Sequence, residues 1–124
     1  MNPEVKQKWL TALRSGSYQQ TKQVLRKGNK FCVLGVLCDL YVKENKGRWE
    51  ERGLPEQNTD RFNIIDEQDE TSTTIPTTSI RTWAQIGDLV FNDENGELPV
   101  AKIINLNDNG KSFSFLADEI EKHL

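Results

Sequence analysis

The sequence predicts a single small α+β domain, mostly α-helical, built around one buried central helix with a small β-hairpin or two-strand piece beside it. Three observations predict it. The run Phe31–Val42 (FCVLGVLCDLYV) is the longest apolar stretch, and every residue in it except Gly35 and Asp39 is aliphatic, aromatic or Cys. Helix start and stop signals bracket apolar residues at both ends of the chain. The middle is polar and broken by Gly and Pro, with an Asn-Gly pair further on, which leaves room only for short extended pieces.

The elements follow in order. Asn2-Pro3-Glu4 reads as a helix start, with Asn as the N-cap, Pro at the first position and an acid in the first turn. Val5, Trp9, Ala12 and Leu13 recur at helical spacing, and Gly16 ends the helix. Trp9 is therefore a core residue. Ser17 to Thr21 is a polar link carrying Tyr18, and Val24-Leu25 is either one helical turn or an edge strand. Arg26 to Lys30 is a turn.

The central run is too long for an ordinary strand, and only Val33, Val36 and Val42 in it are β-branched, so length favours a helix over 31–42. Cys32, Gly35 and Asp39 then share one stripe. Gly35 costs about 1 kcal/mol against Ala inside a helix, which implies close approach of another backbone. Asp39, the one charge in the run, must be paired or hydrogen-bonded.

Residues 43–79 are weakly patterned, with Trp49 and Phe62 as isolated anchors and Asn63-Ile64-Ile65 as a short strand. The acidic stretch 66–78 has the composition of a mobile surface loop. Thr78 or Ser79 caps a short helix through Trp83 and Ala84. Leu89 to Leu98, centred on Asn95-Gly96, reads as a hairpin. Val100–Leu106 is a further short helix, and Ser112 caps a last one whose apolar stripe is Phe113, Leu116, Ala117, Ile120 and Leu124.

Composition narrows the function. At 124 residues, 35% apolar and a mean hydropathy of -0.66, the chain supports one modest core. No apolar stretch approaches ~18 residues, and the start lacks a signal pattern, so no membrane partner is expected and the expected setting is a cytoplasm. Cys32 and Cys38 lie too far apart on a helix to bridge each other. With no CxxC and one His, no metal and no cofactor is expected.

The net charge of -3 hides a split: residues 1–30 carry seven basic residues against Glu4 alone, while residues 31–124 carry nine basic and eighteen acidic ones. Internal complementarity accounts for this most simply. The functional alternative is an anion-binding face made of Arg14, Tyr18, Gln20, Lys22 and Arg26, with Asp39 as the perturbed carboxylate of the central helix. Cations, an aromatic and amides form a set that holds a nucleotide-like ligand. The C-terminal pair of helices has the outline of a helix-turn-helix unit, but Asp118, Glu119 and Glu121 would repel phosphates, so duplex DNA is not an expected partner. Thiol catalysis would need Cys32 with His123, and Asp39 nearby would raise the thiol pKa instead of lowering it.

Three pieces carry a resemblance: Trp9-x-x-Ala12-Leu13-Arg14-Ser15-Gly16-x-Tyr18-x-Gln20, then Phe31-Cys32-x-Leu34-Gly35-Val36-Leu37-Cys38-Asp39-Leu40, and Leu106-Asn107-Asp108-x-Gly110-x-Ser112-Phe113 continuing into Ala117-Asp118-x-Ile120-Glu121. Together they resemble small uncharacterised proteins of tailed bacteriophages and prophages. The resemblance implies a phage-type accessory protein working in a bacterial cytoplasm. The expected function is a non-enzymatic binding module that inhibits a host protein or captures an anionic nucleotide-like ligand. An enzyme using Asp39 or Cys32 and a virion or assembly component are the alternatives, and a homodimer through Trp49 or Trp83 is open.

Overall fold

A computed structural model of the chain describes residues 1–51, 60–87 and 99–124, and among them the backbone forms five helices and two three-stranded sheets. The order is α1 (Pro3–Arg14), β1 (Gln19–Gln20), β2 (Arg26–Lys27), β3 (Lys30–Phe31), α2 (Val33–Lys43), β4 (Arg48–Glu51), β5 (Phe62–Ile65), β6 (Thr71–Ser72), α3 (Thr78–Ala84), α4 (Pro99–Asp108) and α5 (Phe113–His123). The α+β class is as predicted, with a second sheet that the sequence pattern did not announce. The hairpin expected at 89–98 lies outside the described residues. No helix among those described is long and apolar enough to cross a membrane.

The central helix begins two residues later than its apolar run. Phe31 is used by β3, which pairs in parallel with β1 and antiparallel with β2. Cys32 is extended and serves as the N-cap, its Sγ accepting from the Gly35 amide at 3.3 Å. From there Val33 to Cys38 and Tyr41 are all buried. Gly35 faces Leu25, where an added Cβ would run into the Leu25 carbonyl oxygen. That same oxygen accepts from the Cys32 amide at 3.1 Å. The close approach foreseen for Gly35 is thus that of the strand entering β2.

Helix α1 packs on α2 and α5. Asn2 caps it through its side chain, which accepts from Glu4 and Val5. Trp9 is fully buried, and its indole N–H donates to the Val33 carbonyl at 2.9 Å, fixing α1 against the start of α2. The α4–α5 corner closes the other side, with Ser112 capping α5.

Residues 66–78, expected as a loop, contain a tight turn and strand β6 paired to β5. Asp66 is buried there, its Oδ1 accepting from the Gln68 and Glu70 amides at 2.9 and 3.0 Å. Burial acts to raise the Asp66 carboxyl, but the Thr77 hydroxyl, those two amides and Ser79 outweigh it and hold the group below its usual range. Polar composition hid the strand because β6 is only two residues long.

The two thiols are free and buried. Burial pushes Cys32 up to about 11 and Cys38 well above its ordinary value. In the unfolded chain a thiol ionises near ~8.5. Between that pH and about 11 the unfolded chain has lost protons that the folded chain keeps, so stability falls as pH rises. Urea midpoints should hold steady from neutrality to about pH 8 and then decline, less steeply in Cys38→Ala. A flat profile through pH 11 would contradict the buried, protonated thiols.

Candidate functional site

After the Gly16 turn, Tyr18 folds back over the central helix. Its ring meets Phe31 edge-on at 5.2 Å. Its hydroxyl donates to Asp39 Oδ2 at 2.5 Å and accepts from Lys43 Nζ at 2.9 Å. The other Asp39 oxygen accepts from the Trp49 indole N–H at 3.0 Å. Asp39 and Lys43, one helical turn apart, also form an ion pair at 3.4 Å. The demand that the lone charge of the run be satisfied is met by a phenol, an indole and an ammonium.

The electrostatics follow from this arrangement. Burial and the bond to Asp39 raise the Tyr18 phenol, outweighing Lys43. The Tyr18 hydroxyl and Asp39 raise Lys43 in turn, despite partial desolvation. At neutral pH the phenol keeps its proton and the ammonium its charge, so Lys43 is a cation held in place at the rim of the cluster.

Beside this cluster an open groove of about 460 Å³ runs between α1 and α2, lined by Lys8, Thr11 and Ser15, by Ser17 and Tyr18, and by Leu40 and Lys43, with Gln7 and Ala12 completing it. None of these nine residues is acidic, although the chain has a net charge of -3. Two ammonium groups, the Thr11 and Ser17 hydroxyls and an amide beside a shallow apolar floor suit an oxyanion, since charged donors give the stronger hydrogen bonds; the Tyr18 and Ser15 protons are committed to Asp39 and to the Ala12 carbonyl.

The six residues singled out in the sequence do not all meet. Tyr18 and Asp39 do. Arg26 is linked to them through rings: its guanidinium lies 3.9 Å above Phe62 and within 6 Å of Phe31 (5.3 Å) and Trp49 (5.6 Å), with Nε donating to the Gly28 carbonyl. Arg14 turns the other way, to Asp118 at 2.9 Å and Glu121 at 2.6 Å on α5. This is the internal charge complementarity in atomic form. Gln20 donates to Asn107 Oδ1 and the Lys111 carbonyl. Lys22 is exposed, with its ammonium near Gly110.

Lys8, Lys43 and Trp49 are not among those six. Lys43 carried a signal, four residues after Asp39 on the same helix. Trp49 carried none, because its contact crosses from β4. Trp49 and Trp83, the rings through which the sequence left a homodimer open, are half-buried, Trp83 packing edge-on against Tyr41 at 5.3 Å.

The letters that carry the resemblance resolve into structure. Asn107 is buried, and its Oδ1 accepts from the Val33 amide at 3.1 Å and from Gln20 at 2.9 Å. Its Nδ2 donates to the Thr21 carbonyl at 3.0 Å. Asp108 accepts from the Gln23 amide at 2.9 Å, where Gln23 has a positive φ of 69°. Cys32 caps, Gly35 admits a backbone, and Asn107 ties α4 to the start of α2. A family model described as a domain of unknown function (DUF8296) matches residues 1–124. The chain belongs to that family. Comparison with curated proteins finds no match, and comparison with solved structures finds none either. In this DUF8296 chain, then, the most distinctive motif residues serve the fold, and the groove beside Tyr18 is where chemistry facing solvent collects.

Proposed function

We propose that this DUF8296 chain is a non-enzymatic binding module of phage type, acting in a bacterial host, that takes a small phosphorylated ligand in the groove between α1 and α2. The observation that carries the reading is a groove lined by Lys8, Lys43 and hydroxyls, with no carboxylate on its walls, in an acidic protein. Tyr18 and Asp39 hold Lys43 in position, which lowers the entropy lost on binding. The groove is open, which suits capture more than chemistry, because none of the described residues closes over it to exclude water. The enzyme alternative is weakened by its own residues. Asp39 is fully occupied, and Cys32 is a buried cap whose thiol stays protonated at neutral pH.

Titration with pyrophosphate and with ADP, followed by amide shifts in NMR, tests the reading. Shifts should appear at Thr11, Ser17 and Lys43. Lys8→Ala combined with Lys43→Ala should weaken binding by about tenfold or more, with little loss of melting temperature. Shifts absent at millimolar ligand, or unchanged in the double variant, would remove the groove as a phosphate site.

A further inference from the structure

A second surface faces away from that groove in its chemistry and does not depend on it. Strands β2 and β3 form a two-residue hairpin, its Gly28 at φ 57° as a primed turn requires. In its register Lys27 stands directly opposite Lys30. On the other side of Lys27, an isolated bridge sets Arg61 directly opposite it. Side chains of directly opposed residues share one face of a sheet, with Cβ atoms about 4.5–5.5 Å apart. Lys30, Lys27 and Arg61 therefore stand in a row across β3, β2 and the residue that leads into β5, and all three are exposed.

Such a row costs stability, since like charges directly opposite repel. Among the described residues none of the three side chains forms an ion pair or hydrogen bond. Asp60, the adjacent acid, has its carboxylate beside Gly28 and makes no ion pair with them. The alternate strand positions, Arg26 and Phe31, turn to the ring cluster. A fold that lines up three cations with no ion pair among the described residues has a row that an external anion would relieve.

We propose that this row docks an acidic helix of a partner protein. Strands are spaced about 4.8 Å apart, so the three cations span roughly 10 Å. On a helix, acids at i, i+4 and i+7 span about 10.5 Å at 1.5 Å per residue. Three carboxylates of one helix face therefore match the row one for one. Nucleic acid fits less well. Phe115, on α5, is the exposed large apolar side chain among the described residues, so none of them sets a fully exposed stacking platform at the row for single-stranded bases.

The full chain is tested against labelled Ala-rich helical peptides of about twenty residues. One carries Glu at i, i+4, i+7 and i+11, and an isomer scatters the same Glu residues around the helix. A thymidine oligonucleotide is the third probe. Anisotropy should show the one-face peptide binding at least about tenfold tighter than its isomer and tighter than the oligonucleotide, and weakening between about 50 and 300 mM NaCl. Lys27→Glu places an acid between two cations, so it should abolish binding while raising the melting temperature by about 2–6 °C. If that variant fails to fold, Arg61→Glu should show the same loss of binding in a folded chain. Equal binding of the two peptides, tighter binding of the oligonucleotide, no binding by the one-face peptide, or a lower melting temperature in folded Lys27→Glu would each overturn the proposal.

Discussion

Gly35→Ala is expected to destabilise the protein by about 3 kcal/mol, and to do so against the propensity scale. Alanine is the better helix former by about 1 kcal/mol, so a surface helix would gain from the change. Here the new methyl meets the Leu25 carbonyl oxygen, and the Leu25 carbonyl carbon lies close behind. The obstacle is backbone, which no rotamer change clears, and the same oxygen is held by the Cys32 amide. Overpacking of a well-filled interior typically costs 1–3 kcal/mol, roughly, and more where nothing can yield. Urea unfolding of the variant should show a midpoint well below that of the native chain with an unchanged slope. A midpoint equal to or above the native one would mean that α2 and the Leu25 strand do not cross as closely as described.

Asn107→Ala is the second large effect. The side chain satisfies the Val33 amide at the head of α2, the Gln20 amide and the Thr21 carbonyl together. Truncation leaves a helix-start N–H and a strand-end C=O without partners in a region the residue itself keeps dry. A buried group left unsatisfied costs about 1–3 kcal/mol, so a loss near 3 kcal/mol, or about 10 °C in melting temperature for a chain of this size, is expected. Asn107→Asp separates hydrogen bonding from volume. It keeps the size and the acceptor, but removes the donor to Thr21 and sets a charge beside Asp108. Calorimetry should show it at least as damaging as alanine. An Asp variant as stable as the native chain would sink the account of Asn107 as a two-sided tie.

Local signals were legible in the sequence and long-range ones were not. Asn2-Pro3, Gly16 and Ser112 announce helix ends because capping is chemistry between near neighbours. Gly35 announced a close contact, though not with what. Asp39 was bound to have partners, but Tyr18 lies 21 positions before it and Trp49 ten after, on elements whose placement only the tertiary fold decides. The two-residue strands are too short for any alternation to register, which is why β2, β3 and β6 read as turn or loop. Arg14, Gln20 and Arg26 looked alike as polar members of one basic segment. The fold sends the first to α5, the second to Asn107 and the third among three rings.

The packing of α1 on α5 also bears on how the chain comes off a ribosome. Val5, Trp9, Leu10 and Leu13 emerge well before α5, the helix they lie against. Asn107 likewise reaches back 86 positions to Thr21. At elongation rates of about 5–20 residues per second, α1 waits roughly 5–20 s for its cover. Helix α1 therefore cannot cover its apolar face until α5 has been made, and through that interval the face stays open to holdase chaperones.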